Sequence, residues 1–352
     1  MSKAAELANL IGNINAGGGG ANKNLIINSA MNVAQRGTSS TSAGFQTVDR
    51  FKSGVQTIGI TQSQESLSSG ELFEKGFTKF FRQTVTSPSS ATNVIMEIKH
   101  SIEAQNIANS GWDFKNANRP LSLSFYARSS VAGTYYSYVR NTDASPEQYY
   151  RFSFVLSANT WTKVEKTIAG NSNLVFPNDN GEGLALFWVP AFGTNYSGSS
   201  VNLDQWETLT GSDYIPDITH AWGNTNGATF DLTGVQLEVG QNPTSFESEP
   251  FERTLAKCQR YFFKSTTYPL SLANASTTGY SFRQERTQQH SMPVIMRSNP
   301  TFTAVESIKL LSSGSISIVG NKDHVVLYPS AYAGDLPSDN YWYGGYTADA
   351  EL

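Results

Sequence analysis

The sequence has a single cysteine, Cys258, in 352 residues. An internal disulfide framework is therefore excluded, and stability has to come from packing. Charge is scarce as well: Asp, Glu, Lys and Arg make up 15% of the chain, against about 25% in an ordinary soluble domain. The formal net charge is −4, and neither sign collects in a block. The pattern offers no basic face for nucleic-acid phosphates and no acidic tail. No apolar run approaches the roughly 18 residues of a membrane-spanning helix. Met1 to Asn15 lacks the basic start and long apolar centre of a secretion signal. The expectation is a soluble chain, not inserted in a membrane and not exported by the usual route. Catalytic punctuation is missing too. His100, His220, His290 and His324 are scattered without metal-ligand spacing, and no GxSxG elbow occurs. The sequence reads as non-enzymatic, with no catalytic residue, metal or cofactor assigned.

What the chain has instead is aromatic weight and turn chemistry. Aromatic residues reach 12%, with 20 Phe, 16 Tyr and 6 Trp, ample for a packed core. Val94, Met96, Ile98, His100 and Ile102 alternate with mostly polar residues, the period of a half-buried strand. Leu121 to Ala127 and Tyr150 to Leu156 repeat the pattern. Leu184 to Phe192 is apolar on both faces, as in a central strand or an interface. In Thr229 to Gly240 the inward phase slips by one at Thr233-Gly234, which predicts a β-bulge. Turns carry Asn, Asp, Gly, Ser and Pro. The expected fold class is all-β: an antiparallel, jelly-roll-like β-sandwich with a short N-terminal helix and a smaller C-terminal β region.

The domain plan follows from the same text. Residues 1–22 combine a helix, with Leu7, Leu10, Ile11 and Ile14 on one apolar face, and a swivel at Gly17 to Gly20. So short a helix is marginal alone in water and needs a partner. Either it docks on another protein as an attachment segment, or it packs on its own domain. The sandwich is expected over 23–248 and a linking helix over 249–263, with Phe251, Leu255, Cys258 and Phe262 near one face. Residues 264–352 complete the plan as a β region. Its strands are expected at Tyr280 to Arg286, Val294 to Arg297, Thr301 to Val305, Ile316 to Val319 and Val325 to Tyr328.

Several phrases carry a resemblance. Asn24 to Asn28, Asn32 to Gly37 and Thr47 to Phe51 stand near the start; Thr233 to Gly240, Pro243 to Glu247 and Leu255 to Phe262 follow; Met292 to Arg297, Asn299 to Thr301 and the closing Ala348 to Leu352 come last. Together they resemble the tail-fibre and appendage proteins of environmental, often marine, bacteriophages and prophages, with a sandwich like a carbohydrate-binding module. The stretch from Gly54 to Thr92 and most of 303–340 match no such phrase. The resemblance implies a virion protein, assembled in a host cytoplasm and homotrimeric. It would be held to other virion proteins by its N-terminal helix and would face a host-surface glycan. A capsid-bound fibre or decoration protein is the alternative, and a polysaccharide depolymerase a more distant one.

Candidate residues follow from chemistry. Sugar rings stack on flat aromatics while polar side chains take their hydroxyls. Trp206 beside Asp204, with Trp188 and Trp112, are the glycan-binding candidates; Trp161 and Trp222 lie in similar text. Any one of these tryptophans could equally fill the core. Asp204 and Glu207 could be proposed as a hydrolytic pair, but strand positions three apart face opposite ways. Tyr341, Trp342, Tyr343 and Tyr346 form an aromatic cluster expected at an oligomer interface. Modules of the resembled type often hold a structural calcium, for which Asp49, Asp231 and Glu238 offer oxygen donors; the signal supports no committed metal.

Overall fold

The computed structural model describes residues 3–4, 24–265, 270–273, 288–310, 315–330 and 341–352. The attachment face Leu7, Leu10, Ile11 and Ile14 and the expected strand Tyr280 to Arg286 lie outside the described residues. The chain divides into two compact units, Met1–Thr254 and Leu255–Leu352, so the division falls within the helix Phe251–Gln259 that answers to the expected linking helix.

The first unit is an antiparallel β-sandwich. Its strands are β1 Ser39–Ser40, β2 Phe51–Gln56, β3 Gly59–Ser66, β4 Lys79–Ser87, β5 Ile95–Glu103, β6 Leu121–Ser129, β7 Gly133–Asn141, β8 Gln148–Leu156, β9 Thr162–Ile168, β10 Glu182–Phe192, β11 Ser197–Gly198, β12 Trp206–Thr208, β13 Ile215–Pro216 and β14 Thr229–Val239. One sheet runs β1-β3-β4-β14-β6-β9 and the other β12-β8-β7-β10-β5-β2. We call them the first and second sheets. Alternation assigns the inner faces: Met96, Ile98, His100 and Ile102 of β5 all point inward and are buried. The sheets meet through rings. Phe51 of the second sheet lies 6.5 Å from Phe81 of the first. Phe125 meets Trp188 edge-on at 5.7 Å and Phe154 at 5.3 Å. Each such side chain, fully buried, contributes roughly 1.5–3 kcal/mol.

The phase slip in β14 is a bulge. Register with β6 shifts between Thr233 and Gln236. Gly234 sits there at φ 61°, and a Cβ would come within 2.9 Å of the Phe77 and Tyr126 rings. Only glycine meets both demands, and the two apolar halves of β14 stay on the core side. Two short helices, α1 Glu71–Glu74 and α2 Ala104–Ala108, were not signalled by any periodicity, because one turn is too short to show one.

The second unit pairs Tyr341–Asp349 with Phe262–Lys264, Leu270–Ala273 and Thr301–Leu310, all antiparallel. A separate ladder joins Gln288–Ser291, His324–Ser330 and Ser315–Gly320. Val294 to Arg297, expected as a strand, is a loop. Met292 and Met296 are the residues it buries, four apart rather than two, and Pro293 removes a ladder donor. Tyr346, expected at an oligomer interface, is fully buried in this unit's own core with Met292 and Ala348. Its hydroxyl lies 3.1 Å from Nδ1 of His290. The side chains of Tyr341, Trp342 and Tyr343 lie outside the described residues.

Candidate functional site

The tryptophans expected as sugar platforms are mostly structural. Trp188 is 1% exposed and Trp112 4% exposed, so neither offers a ring face. Trp188 is wedged between Phe51 and Phe125, while Trp112 packs on Phe114 and Phe176 and donates its indole N–H to the Arg119 carbonyl. Trp222 is fully buried as well. Trp206 is partly exposed at the sheet edge. It leans on Tyr150 and donates to the Ala169 carbonyl at 2.7 Å. Asp204 is exposed next to it, 3.3 Å from Lys166. The structure therefore leaves Trp206 and Asp204 at the surface and takes Trp188 and Trp112 away from it.

The carboxylates considered for calcium have protein partners. Asp231 accepts from Arg82 and Arg128. Asp49 accepts from the Gln35 backbone and side chain, and Glu238 from Thr244 and Gln236. No group of three metal-ligating side chains forms among the described residues.

The outer face of the second sheet is the unusual region. Cross-strand pairing stacks Tyr138 of β7 on Phe187 of β10, ring centroids 4.3 Å apart and nearly parallel. Tyr149 of β8 stands beside them. These rings face away from the sandwich core, yet each is under 5% exposed. What covers them is the chain between β10 and the 3-10 turn Trp222–Asn224, here called the strap. Ile215, Tyr214, Leu209 and Ile218 of the strap pack on them. A parallel pairing of β11 with β13 closes the strap on itself. Arg151 of β8 pins it by donating Nε to the Tyr214 carbonyl at 2.9 Å. This explains the apolar text on both sides of β10: one face meets the core, the other meets the strap.

At one end the strap borders a half-open pocket of about 240 Å³. Three loops far apart in sequence build it, residues 89–94, 191–197 and 217–224. The first two touch directly. Gly193 donates to the Val94 carbonyl and Asn195 to the Thr92 carbonyl. A Cβ on Gly193 would stand 2.3 Å from the Thr92 oxygen, so only glycine permits this approach. Ser89 donates to the Gly223 carbonyl and joins the third loop.

The lining is mixed: hydroxyl, amide and carboxylate side chains share it with Val94, Phe192, Ile218 and two alanines. Ser197, buried, donates its hydroxyl to Oδ1 of exposed Asp217 at 2.8 Å. His220 stacks on Tyr135, centroids 4.0 Å apart. Burial lowers its pKa to about 4, so the ring is neutral near pH 7. Its Nδ1 accepts a long 3.4 Å bond from the Trp222 amide, and Nε2 has no hydrogen-bond partner among the described residues. Serine, histidine and aspartate thus share a pocket without forming a relay: the hydroxyl points at the carboxylate and the imidazole at a tyrosine ring. From the sequence, His220 stood out only as a histidine without metal-ligand spacing, and Val94 and Phe192 only as strand residues. The visible signal was only the density of Gly, Ser, Thr and Asn around 89–94, 191–200 and 220–227.

The fold and site define a β-sandwich with a strapped outer sheet face and a polar pocket at its end. No family model and no curated protein matches the chain. Among solved structures, the enzymatically active domain of tailspike protein 4 of bacteriophage CBA120 is similar at a TM-score of 0.33 and 10% identity. That match covers 62% of this chain but 21%, about a fifth, of the tailspike chain. A family 11 carbohydrate-binding module of a Clostridium thermocellum cellulase gives 0.30 and 11%, covering 57% of this chain and 95% of the module. The N-terminal cellulose-binding domain of a Cellulomonas fimi β-1,4-glucanase gives 0.29 and 10%, covering 62% and 100%. The likeness is loose, and the family of the chain does not follow from it.

Proposed function

We propose that the protein is a bacteriophage virion appendage subunit that uses its β-sandwich to hold a host-surface glycan without cutting it. The phage part of this reading rests on the sequence phrases that resemble tail-fibre and appendage proteins. In it, the face Leu7, Leu10, Ile11 and Ile14 anchors the subunit to other virion proteins, and the assembled form is a homotrimer.

The glycan part rests on the end pocket, and the observation that carries it is the lining. Hydroxyl-bearing Ser89, Thr92 and Thr194 line the same pocket as Asp217, together with the partly exposed Phe192 ring. A sugar offers alternating hydroxyls and an apolar ring face, and such a wall complements both.

The test uses the purified full-length chain on an array of host-surface glycans, with labelled protein imaged on intact particles in parallel. Expected are retention of a subset of glycans, no release of reducing ends, and label at one fixed place on the particle. Asp217→Ala should remove retention while lowering the melting temperature only slightly, since Asp217 is exposed and its carboxylate holds one protein hydroxyl, that of Ser197. Release of reducing ends would make the protein a depolymerase, and an array with no retained glycan would remove the glycan reading.

A further inference from the structure

We propose that the end pocket takes the uncharged terminal residue of a glycan chain, entered end-on, and rejects sugars that carry a carboxylate. This rests on the glycan reading above and goes beyond it by fixing ligand size and charge.

Size comes first. About 240 Å³ is below the roughly 300–1,000 Å³ of pockets that enclose drug-sized ligands. That is room for one sugar ring. The neighbouring sheet face, where a longer stretch of glycan could lie along the strands, is taken by the strap: Tyr138, Tyr149 and Phe187 are under 5% exposed beneath it. A glycan therefore meets the pocket with an end, not a side.

Charge comes second. Asp217 and His220 are the only residues of the lining that can ionise, and burial keeps His220 neutral near pH 7. The pocket thus carries negative charge and no positive charge. On the adjacent sheet face, Lys99 and Arg140 both hold Glu182, at 2.6 and 2.9 Å, Arg151 is committed to the strap carbonyls of Tyr214 and Asp213, and Lys52 lies over the Phe45 ring; none of the four lines the pocket. An incoming uronate or sialate would meet Asp217 with nothing to offset it.

Asp217 is also prepared to receive hydroxyls. Ser197 fixes Oδ1, and Oδ2 has no partner among the described residues. A carboxylate presented this way accepts from a sugar hydroxyl, a charge-assisted bond stronger than a neutral one. His220 contributes a neutral ring to the wall: its Nδ1 accepts from the Trp222 amide, and Nε2 is buried away from the pocket opening.

The experiment is a calorimetric or NMR titration of the full-length protein with two sets of trisaccharides. One set ends in glucose, galactose or N-acetylglucosamine. The other has the same cores ending in a uronic or sialic acid. The neutral set should bind at least tenfold tighter. Asp217→Asn should weaken neutral binding about tenfold, the usual loss of one hydrogen bond to a charged group, and narrow the gap between the sets. Asp217→Lys should reverse the preference. Melting curves of both variants check the fold. Acidic trisaccharides binding the wild type as tightly as neutral ones would overturn the charge selection while leaving the glycan reading intact. Neutral binding unaffected by either substitution would overturn the pocket as the site. No binding of either set would remove the glycan reading itself, and this inference with it.

Discussion

The two outer faces of the sandwich carry the same burden and meet it differently. Each has aromatic rings that the core cannot cover. On the second sheet, Tyr138, Tyr149 and Phe187 lie under a segment of chain, the strap. On the first sheet, Phe80 is only 4% exposed, and long side chains cover it. Arg82 and Arg128 lie over its ring at 5.2 and 5.4 Å, and Arg128 also lies 4.6 Å from the Trp161 ring. Asp231 on the central strand β14 holds both guanidiniums, accepting from Arg82 at 2.7 and 2.9 Å and from Arg128 at 2.8 Å. Side chains used as a cover follow the strands that bear them. A strap must enter and leave, and the pocket lies at one of its edges, using Ser197, Asp217, Ile218 and His220 from it. The candidate binding site is thus a consequence of how one face is covered.

Asp231 is the point on which the side-chain cover depends most. Its side chain is fully buried, and its arginines are about a quarter exposed. Removing the acid leaves two guanidiniums facing each other with only the Glu65 charge, on the Arg82 side, to offset them. Asp231→Ala should cost about 3–5 kcal/mol in urea denaturation. A loss below about 1 kcal/mol would mean that the arginine layer is not what holds that face together.

The strapped side should answer to acid instead. The His220 pKa is lowered to about 4 from 6.5 by burial; in the core between the sheets, away from the strap, burial followed by the nearby Arg50 charge holds His100 well below its usual value as well. A depressed histidine gives stability that is complete above about pH 6.5 and falls as pH drops toward the folded value. For His220 alone the loss approaches about 3 kcal/mol by pH 4. Wild type and His220→Gln, compared by denaturation between pH 7 and 4, should converge as the pH falls. Parallel curves would place the acid sensitivity elsewhere.

How much of this was legible follows from where the periodicity lies. β5, β6 and β8 were readable because half-buried strands alternate, and the bulge in β14 because a glycine marks a phase slip. The double-sided apolar run of β10 was readable as central without saying what lay on its outer side. The tryptophans misled for a physical reason. Trp112 and Trp222 sit in polar, turn-rich text, but text polarity reports the backbone's surroundings and not where a long side chain reaches. The pocket was illegible because Thr92, Asp217 and His220 come together only through tertiary contact between loops, and no spacing in sequence encodes that. Tyr346 was misplaced because an aromatic cluster on one strand alternates faces, so at least one member can turn inward.

The smallest effect sharpens the comparison further, since it sets a carboxyl on the strapped sheet against Asp231. Glu97 of β5 lies on the same outer face as Phe187 and is partly buried. Tyr138 donates to it at 3.1 Å, and Gly54 across the strand leaves room for it: a Cβ there would stand 2.7 Å from the Glu97 side chain. Burial raises the Glu97 pKa even so, outweighing the Tyr138 hydrogen bond and the charges of Lys99 and Arg140. An acid raised in the folded state contributes most when protonated. Its share of stability is present below the unfolded value and is lost as pH rises through the folded one, opposite in sign to the histidines. Glutamine keeps an acceptor for the tyrosine and carries no charge to bury. Glu97→Gln should therefore be neutral or stabilising by less than about 1 kcal/mol at pH 7, and its advantage over wild type should shrink as the pH falls. Destabilisation near that of Asp231→Ala would mean that the ionised form of Glu97 holds the strapped face, and that the two faces are covered by one mechanism after all.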